Sequence, residues 1–293
     1  MKKNKILKYA LWMALPVLGS GVMTSCTDSF EDLNTSGVQV DPNELPFSAQ
    51  CTEPMNYCYP PQQNMFQFWT NLTIDLYGGY FMTPNGNFTN GDMGENRGHS
   101  GGMYENYYLH IFNNTRRIIA DCDASNQLGL AGVMRIVQAY GTLMTTDAHG
   151  PLAYSSILSG EYESYFPFDS QQDIYIAMLK DLDKAITDIQ NMTEAEKLTL
   201  ATFDSWCQAD TELWVKIANT MKLRMALRLS KREAEMSAAG IDLKAVAAAA
   251  APNTLATVNQ DIVIDKSLEN EMWLMFNWGD CGFNANLVTL MSG

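Results

Sequence analysis

The stretch of sequence that decides the fold reads TDAHGPLAYSSI and runs from Thr146 to Ile157. The apolar residues before it recur at helical spacing, at Val133, Val137, Tyr140 and Met144. Gly150 and Pro151 interrupt this pattern, because glycine is favoured just past the end of a helix and proline cannot continue one. We therefore predict a helix that ends within the stretch, a turn at Gly150, and a following loop that Asp147 caps or ties down.

Asp147, His149 and Ser155 in the same stretch carry the side chains of a hydrolase triad, but their arrangement does not fit one. We expect no G-x-S-x-G nucleophile elbow in the chain, and an aspartate two residues before a histidine follows none of the known triad orders. Among 33 acidic residues, some pair will meet the separation of glycosidase carboxylates, yet nothing singles one out. We predict a protein that is not an enzyme and needs no cofactor.

Helical periodicity extends along most of the chain and predicts an all-α fold. Five amphipathic stripes have apolar residues three or four positions apart, and they run over Met65–Leu76, Tyr104–Ile118, Val133–Met144, Ile174–Ile189 and Trp214–Met225. A sixth, alanine-rich helix is predicted to end before Pro252. Strand signals are scarce, and Ile262–Ile264 is the best of them. Neighbouring stripes pair in sequence, which predicts stacked helical hairpins like tetratricopeptide units, with long irregular loops and no fixed-period repeat.

The N-terminus has the pattern of an export signal. Four lysines within residues 2–8 precede an apolar run, Tyr9–Leu18, which is too short to span a bilayer. A Thr-Ser pair then leads to Cys26, which predicts lipoprotein processing with Cys26 as the lipidated first residue; the alternative is an ordinary cleaved signal. We predict a signal peptide over 1–25, an acidic tether over 26–46, and one helical domain over 47–293.

Charge and cysteine usage narrow the class of partner. Removal of residues 1–25 leaves 15 basic and 33 acidic residues, a net charge of −18, which argues against nucleic-acid binding. Export permits disulfides, and Cys51 and Cys58 are close enough in sequence to pair; the equally good alternative is small buried hydrophobes. The cysteines beyond Cys26 are Cys51, Cys58, Cys122, Cys207 and Cys281.

A long irregular loop over Gly78–Gly102 carries the best candidate ligand site. It mixes aromatic rings with glycine, asparagine and threonine, and rings and amides suit carbohydrate, because sugar C–H faces stack on rings and hydroxyls pair with amides. Trp278 lies in a similar stretch, away from the helical stripes. The alternatives are a solvated loop pinned by its aromatics, or a calcium loop, whose spacing is wrong for an EF-hand. The predicted glycan contacts are Tyr80, Phe81, Asn85, Asn87 and Trp278, with no metal site.

Several stretches together resemble the SusD/RagB-like family of outer-membrane, nutrient-binding lipoproteins. The family carries a TD-x-Y-G-D-I-P-Y-S-E-A segment after a helix, and this chain departs from it at His149, Pro151, Ala153 and Ser156. The matching positions are Thr146, Asp147, Gly150, Tyr154 and Ser155, followed by Phe168–Tyr175 and Trp214–Arg228 and preceded by the acidic opening Cys26–Asn34.

This resemblance implies an α-helical fold with four tetratricopeptide-like helix pairs. It also implies a surface lipoprotein of the outer membrane that binds oligosaccharide, or in some members peptide, and docks on a TonB-dependent, SusC-like transporter. Family chains run further, so the sequence is expected to be the N-terminal part of a longer protein. Two other interpretations stay open at this point: a peptide-binding or purely structural partner of the transporter, and a secreted glycoside hydrolase.

Overall fold

The computed structural model describes residues 45–59, 63–86, 88, 96–159, 165–257, 260 and 277–292. Phe47–Gly293 form one compact unit, distinct from Met1–Pro46. The predicted strand at Ile262–Ile264 and the predicted lipidation site at Cys26 lie outside the described residues. Two helices are composite: α2 runs through Gln63–Phe66, Gln67–Ile74 and Asp75–Tyr77, and α3 through Arg97–Asn106, Tyr107–Phe112 and Asn113–Ala124. The other elements are α1 Phe47–Tyr57, β1 Phe81–Met82, α4 Leu128–His149, α5 Ser155–Leu158, α6 Gln171–Gln190, α7 Glu194–Leu200, α8 Thr211–Arg228, a 3-10 turn Leu229–Arg232, α9 Glu233–Ala238, α10 Leu243–Ala250, a 3-10 turn Ala251–Asn253, β2 Gly282–Phe283 and α11 Ala285–Ser292.

Helices α3, α4, α6, α8 and α10 pack side by side in chain order and form the helical array. Each buries the apolar stripe that its spacing predicts, because residues three and four apart share one helix face. The fully buried side chains include Ile118, Leu130, Met134, Ile136, Ile174, Met178 and Trp214. The predicted all-α fold of neighbouring helical hairpins is therefore confirmed.

A glycine allows helices α4 and α6 to approach each other closely. Gly132 of α4 faces α6, and a Cβ atom there would lie 3.0 Å from the Ala185 carbonyl oxygen and 3.0 Å from Ile189 Cγ1. Any larger side chain would push the two helices apart, because packed interiors have little free volume. This contact fixes the separation of α4 and α6.

Polar side chains define where the helices of the array begin and end. Ser170 Oγ accepts a hydrogen bond from the Asp173 amide at 3.1 Å, so it caps the N-terminus of α6. Thr193 and Glu196 form a reciprocal capping box at the start of α7. Gly150 ends α4 with φ of 80°, a left-handed value that favours glycine, so the predicted turn is confirmed.

A buried charge cluster joins three helices of the array. The Arg135 guanidinium of α4 lies 3.2 Å from the Asp188 carboxylate of α6 and also pairs with Asp123 of α3. Lys184 adds a second cation, 2.7 Å from Asp188. Buried charges are costly unless paired, so these contacts constrain how the helices stack.

Two stretches of π-helix depart from the regular helices that the stripes predict. They occupy Gln67–Ile74 in α2 and Tyr107–Phe112 in α3. The first packs against the start of α3, where a Cβ atom at Gly102 would lie 2.0 Å from the Trp69 indole nitrogen. Apolar periodicity does not distinguish a π turn from an α turn, and π turns are frequent beside functional sites.

The five cysteines of the described residues are free and buried. Cys51 and Cys58, which sequence proximity offers as a pair, are separate thiols, and burial raises the pKa of both. Within the described ranges, no group of histidine, cysteine and acidic side chains has the arrangement of a metal site. None of the helices described in the structure is both long and apolar enough to cross a lipid bilayer.

Candidate functional site

The loop after α2 pairs with a segment near the C-terminal end of the chain. Strands β1 and β2 are antiparallel, with Phe81 opposite Phe283 and Met82 opposite Gly282. The Asn284 amide extends the pairing by donating to the Tyr80 carbonyl at 3.0 Å. We call Tyr80–Asn85 together with residues 277–284 the loop platform. Of the predicted contact residues, Tyr80, Phe81, Asn85 and Trp278 belong to it; Asn87 lies outside the described residues.

Large rings on the loop platform remain open to solvent. The exposed fractions are 56% for Tyr80, 45% for Trp278 and 58% for Phe283. Isolated exposed apolar residues are ordinary, but several exposed rings on one short paired segment are typical of a recognition surface. Phe283 is absent from the sequence-based prediction, although the glycine and asparagine around it give the same composition signal that marks Trp278.

Phe81 has a structural role instead of the predicted ligand contact. Its exposed fraction is 9%, and it packs with Leu72 and Leu76 in a small core beneath the loop. Its ring stacks on Phe283 with centroids 5.4 Å apart and planes at 22°. Because β1 alternates its side chains between two faces, Phe81 points inward beside its exposed neighbours. It therefore supports the exposed ring of Phe283.

Asp280 holds the two halves of the loop platform together. Its Oδ1 accepts a hydrogen bond from Asn85 Nδ2 at 2.7 Å, and its Oδ2 accepts one from Gln67 Nε2 at 2.9 Å. Hydrogen bonds to an ionised carboxylate are among the stronger ones in proteins. Asn85 thus uses its amide nitrogen to fix the loop, and its contact with a ligand stays a prediction. Because both carboxylate oxygens of Asp280 accept hydrogen bonds from the protein, its role is to hold the platform in position.

The floor beneath the platform is polar as well as buried. Asn71 in the π-helical part of α2 is fully buried, and neither of its amide atoms makes a well-formed hydrogen bond within the described residues. The buried Cys281 thiol is one of its neighbours. Burial raises the pKa of Asp75 on the same helix. Polar groups without full hydrogen bonding are costly inside a protein and are more common at functional sites than in structural cores.

The three side chains that resemble a hydrolase triad have separate partners. Asp147 lies in the last turn of α4 and accepts a hydrogen bond from the Tyr175 hydroxyl at 2.5 Å, so it ties helix to helix and the prediction that it ties a loop is wrong. The His149 ring lies edge-on to Tyr104 at 5.7 Å, and burial lowers its pKa. Ser155 Oγ donates to Asp169 Oδ1 at 2.6 Å. This arrangement gives no nucleophile–base pair.

A G-x-S-x-G pattern does occur in the chain, although no nucleophile elbow is expected from the sequence. Gly98–Gly102 reads GHSGG and matches the G-x-S-x-G pattern. The structure places it inside the first turns of α3, where Ser100 Oγ donates to the Asn96 carbonyl at 3.2 Å and the His99 ring stacks on Phe68 at 4.5 Å. A nucleophilic serine needs a sharp turn between a strand and a helix. Here the match is part of a helix.

Comparison with known proteins gives consistent matches for this architecture. The model of a family described as SusD-like, Susd and RagB outer membrane lipoprotein, matches residues 32–293. A chitin-binding SusD homolog from Flavobacterium johnsoniae has a TM-score of 0.69 at 21% identity, covering 82% of this chain and 50% of that one. A SusD-like protein from Bacteroides thetaiotaomicron has a TM-score of 0.69 at 24% identity, covering 84% and 51% respectively.

A SusD homolog from Bacteroides vulgatus is similar to the same degree, with a TM-score of 0.68 and 20% identity over 84% of this chain and 51% of that one. The chain therefore spans about half the length of these solved structures. Among curated protein sequences, none matches it. At these identities the structural similarities establish the fold.

Proposed function

Because the chain belongs to the SusD-like family of outer-membrane lipoproteins, we propose that it binds an oligosaccharide and delivers it to a TonB-dependent, SusC-like transporter for import. The observation that carries this proposal is the set of exposed rings on the loop platform, Tyr80, Trp278 and Phe283. One of the solved structures with this fold is a chitin-binding protein, which supports a saccharide as the ligand.

Binding, with no bond made or broken, is the proposed mechanism. A sugar ring stacks its C–H face on an exposed aromatic ring, and its hydroxyls pair with side-chain amides, for which Asn85 and Asn87 stay the predicted residues. The strand pairing and the Asp280 hydrogen bonds keep the rings in place before the ligand arrives. Such pre-organisation favours affinity because little conformational entropy is lost on binding.

Anchoring through a lipid on Cys26 is the second part of the proposal. The acidic tether then separates the helical domain from the outer membrane, and the platform faces outward. Replacing Cys26 by alanine should abolish labelling by palmitate and release the protein from the membrane fraction. A variant that stays membrane-bound, with a wild type that takes up no label, would contradict the lipid anchor.

A glycan array with the purified protein tests the proposed ligand class. We expect selective binding to one group of oligosaccharides, with no shorter products after prolonged incubation. Peptides on the same surface provide the comparison. Binding of peptides, or of the transporter alone, would instead indicate the second candidate, a peptide-binding or structural partner of the transporter. The observation in favour of that candidate is the helical array of paired hairpins. Shortened saccharides would indicate a glycoside hydrolase.

A further inference from the structure

A polar cavity opens at the ends of three helices of the array, distinct from the loop platform. Its volume is about 430 Å³, within the range of pockets that hold small ligands. It is bounded by the C-terminal turn of α4, the first turns of α6, and the end of α8 with the turns that follow it. The polar side chains that line it are Asp147, Gln171, Gln172, Arg228, Arg232 and Glu235.

Hydrogen bonds fix the inner wall of this cavity. The Tyr175 hydroxyl donates to Asp147 Oδ1, and Arg228 Nε lies 3.3 Å from the same oxygen. Gln171 Nε2 donates to the Thr146 carbonyl at 2.7 Å. These residues come from the three separate stretches that carry the family resemblance. Each wall residue is therefore held in position by the protein itself.

The outer wall offers hydrogen-bonding groups that the protein leaves open. Arg228 contacts Asp147 through Nε, and Arg232 contacts Glu235 through one terminal nitrogen at 3.0 Å. The remaining guanidinium N–H groups of both arginines make no hydrogen bond within the described residues, and the carboxylates of Asp147 and Glu235 line the same cavity. Buried Met236 and half-buried Leu229 provide apolar surface between these groups.

The balance of charge selects the class of ligand. The lining has two guanidinium groups and two carboxylates, so an anionic ligand attracted by Arg228 and Arg232 is repelled by Asp147 and Glu235. A hydroxyl group both donates and accepts, and neighbouring arginine donors and carboxylate acceptors satisfy it fully. An apolar patch beside them suits the C–H face of a sugar.

We propose that this cavity is a second saccharide subsite, which takes an uncharged oligosaccharide through its hydroxyl groups. The inference rests on the proposed function, since it assigns a further contact surface for the same class of ligand. Arg232 and Gln172 are the residues to test, because both are exposed and line the cavity. Arg232 pairs with Glu235 within one turn, and Gln172 Nε2 makes a long, exposed hydrogen bond of 3.4 Å to the Glu235 carbonyl, so neither substitution removes a buried contact. Lys231 is a matched control: it lies on the same turn, is exposed and does not line the cavity.

Calorimetric titration with maltohexaose, cellohexaose and mannohexaose, and with a galacturonic acid oligomer as the charged counterpart, tests this assignment. The Trp278→Ala variant weakens the platform, so the binding that remains reports on the cavity. In that background we expect Arg232→Ala and Gln172→Ala each to weaken binding about tenfold, by loss of one hydrogen bond to a hydroxyl. Lys231→Ala should change nothing, and raising the salt should have little effect on an uncharged ligand.

The outcomes separate the two proposals. Unchanged affinity in both cavity variants, together with weakened binding in Trp278→Ala alone, overturns the subsite and supports the platform. Preference for the charged oligomer with loss of affinity at high salt overturns the assignment to an uncharged ligand. Absence of saccharide binding by the wild-type protein overturns both proposals at once.

Discussion

The helical array and the loop platform are stabilised in different ways. In the array, helices adjacent in sequence pack against each other, and their buried stripes are local and periodic. In the platform, Asn85 and Asp280 are 195 residues apart in sequence, yet they form one hydrogen bond that decides the shape of the surface. Few buried side chains support it: the buried core beneath it consists of Phe81, Leu72 and Leu76, with Phe68 and Phe88 packed against them.

Because of this difference, we expect the helical array to determine stability and the loop platform to determine ligand recognition. Burial of large apolar side chains stabilises the array, whereas the platform keeps its rings exposed and depends on a few polar contacts. Substitutions in the array are therefore expected to change the free energy of unfolding strongly. Substitutions on the exposed rings should change affinity and leave stability nearly unchanged.

Trp214→Ala should have the largest effect, and it tests the array. Trp214 is fully buried, stacks on Trp206 with centroids 5.5 Å apart, and donates to Asp204 Oδ2 at 2.8 Å. Its loss leaves a cavity, so we expect the free energy of unfolding in urea to fall by about 3–5 kcal/mol. Leu198→Ala, at an exposed position of α7, is the control and should stay within about 0.5 kcal/mol. A loss below about 1 kcal/mol for Trp214→Ala would contradict the role of the array.

Asp280→Ala should break the platform and spare the array. It leaves the buried Gln67 amide without its acceptor, which costs about 1–3 kcal/mol, and frees the loop at Asn85. We expect weaker oligosaccharide binding with an unchanged far-UV circular dichroism spectrum. Asp280→Asn keeps one carbonyl acceptor and should recover part of the affinity. Equal affinities in both variants and the wild type would remove Asp280 from its proposed role.

Gly150→Val should cost about 1 kcal/mol or more, because φ at this position is 80°. A Cβ atom there would meet no other atom within 4 Å, so backbone strain alone determines the cost. Thermal and urea unfolding measure the change, with Gly101→Val, whose added Cβ is equally free of contacts, for comparison. An unchanged melting temperature would show that the turn does not depend on glycine.

A change of pH should have a smaller effect on stability, and one histidine in each of the two regions contributes to it. Burial lowers the pKa of His149 in the array and of His99 beside the loop from the ordinary value of 6.5. The unfolded chain then binds more protons than the folded one, so stability is lost as the pH falls below about 6.5. His149→Gln and His99→Gln should each reduce the loss of unfolding free energy between about pH 7 and about pH 5. The same pH dependence in wild type and variants would contradict this account.

The array could be predicted from the sequence because its determinants are local. The stripe from Ile174 to Ile189, the cap at Ser170 and the turn at Gly150 each occupy a few neighbouring residues. The π-helical stretches could not be predicted, because their spacing differs little from that of an α-helix. The role of Asp147 was misassigned, since its partner Tyr175 lies on another helix.

The platform could be predicted only in its composition. Rings and amides in the loop pointed to Tyr80 and Trp278, which are exposed as expected. The stacking of the exposed Phe283 ring on the buried Phe81 ring depends on the register of two strands far apart in sequence. Nothing local encodes that register, so Phe283 and the Asp280 contacts emerge only from the structure.

The central claim is that the loop platform binds the saccharide. The most direct test is to titrate the Tyr80→Ala and Trp278→Ala variants with the oligosaccharide that binds best on the glycan array. Loss of one stacking ring should weaken binding by about 5- to 150-fold, from about 1–3 kcal/mol by analogy with ring stacking on bases. Unfolding free energies should stay within about 0.5 kcal/mol of the wild type. Tyr165→Ala, which removes an exposed ring elsewhere, is the matched control and should bind normally. Full-strength binding by both platform variants would contradict the claim that the loop platform holds the saccharide.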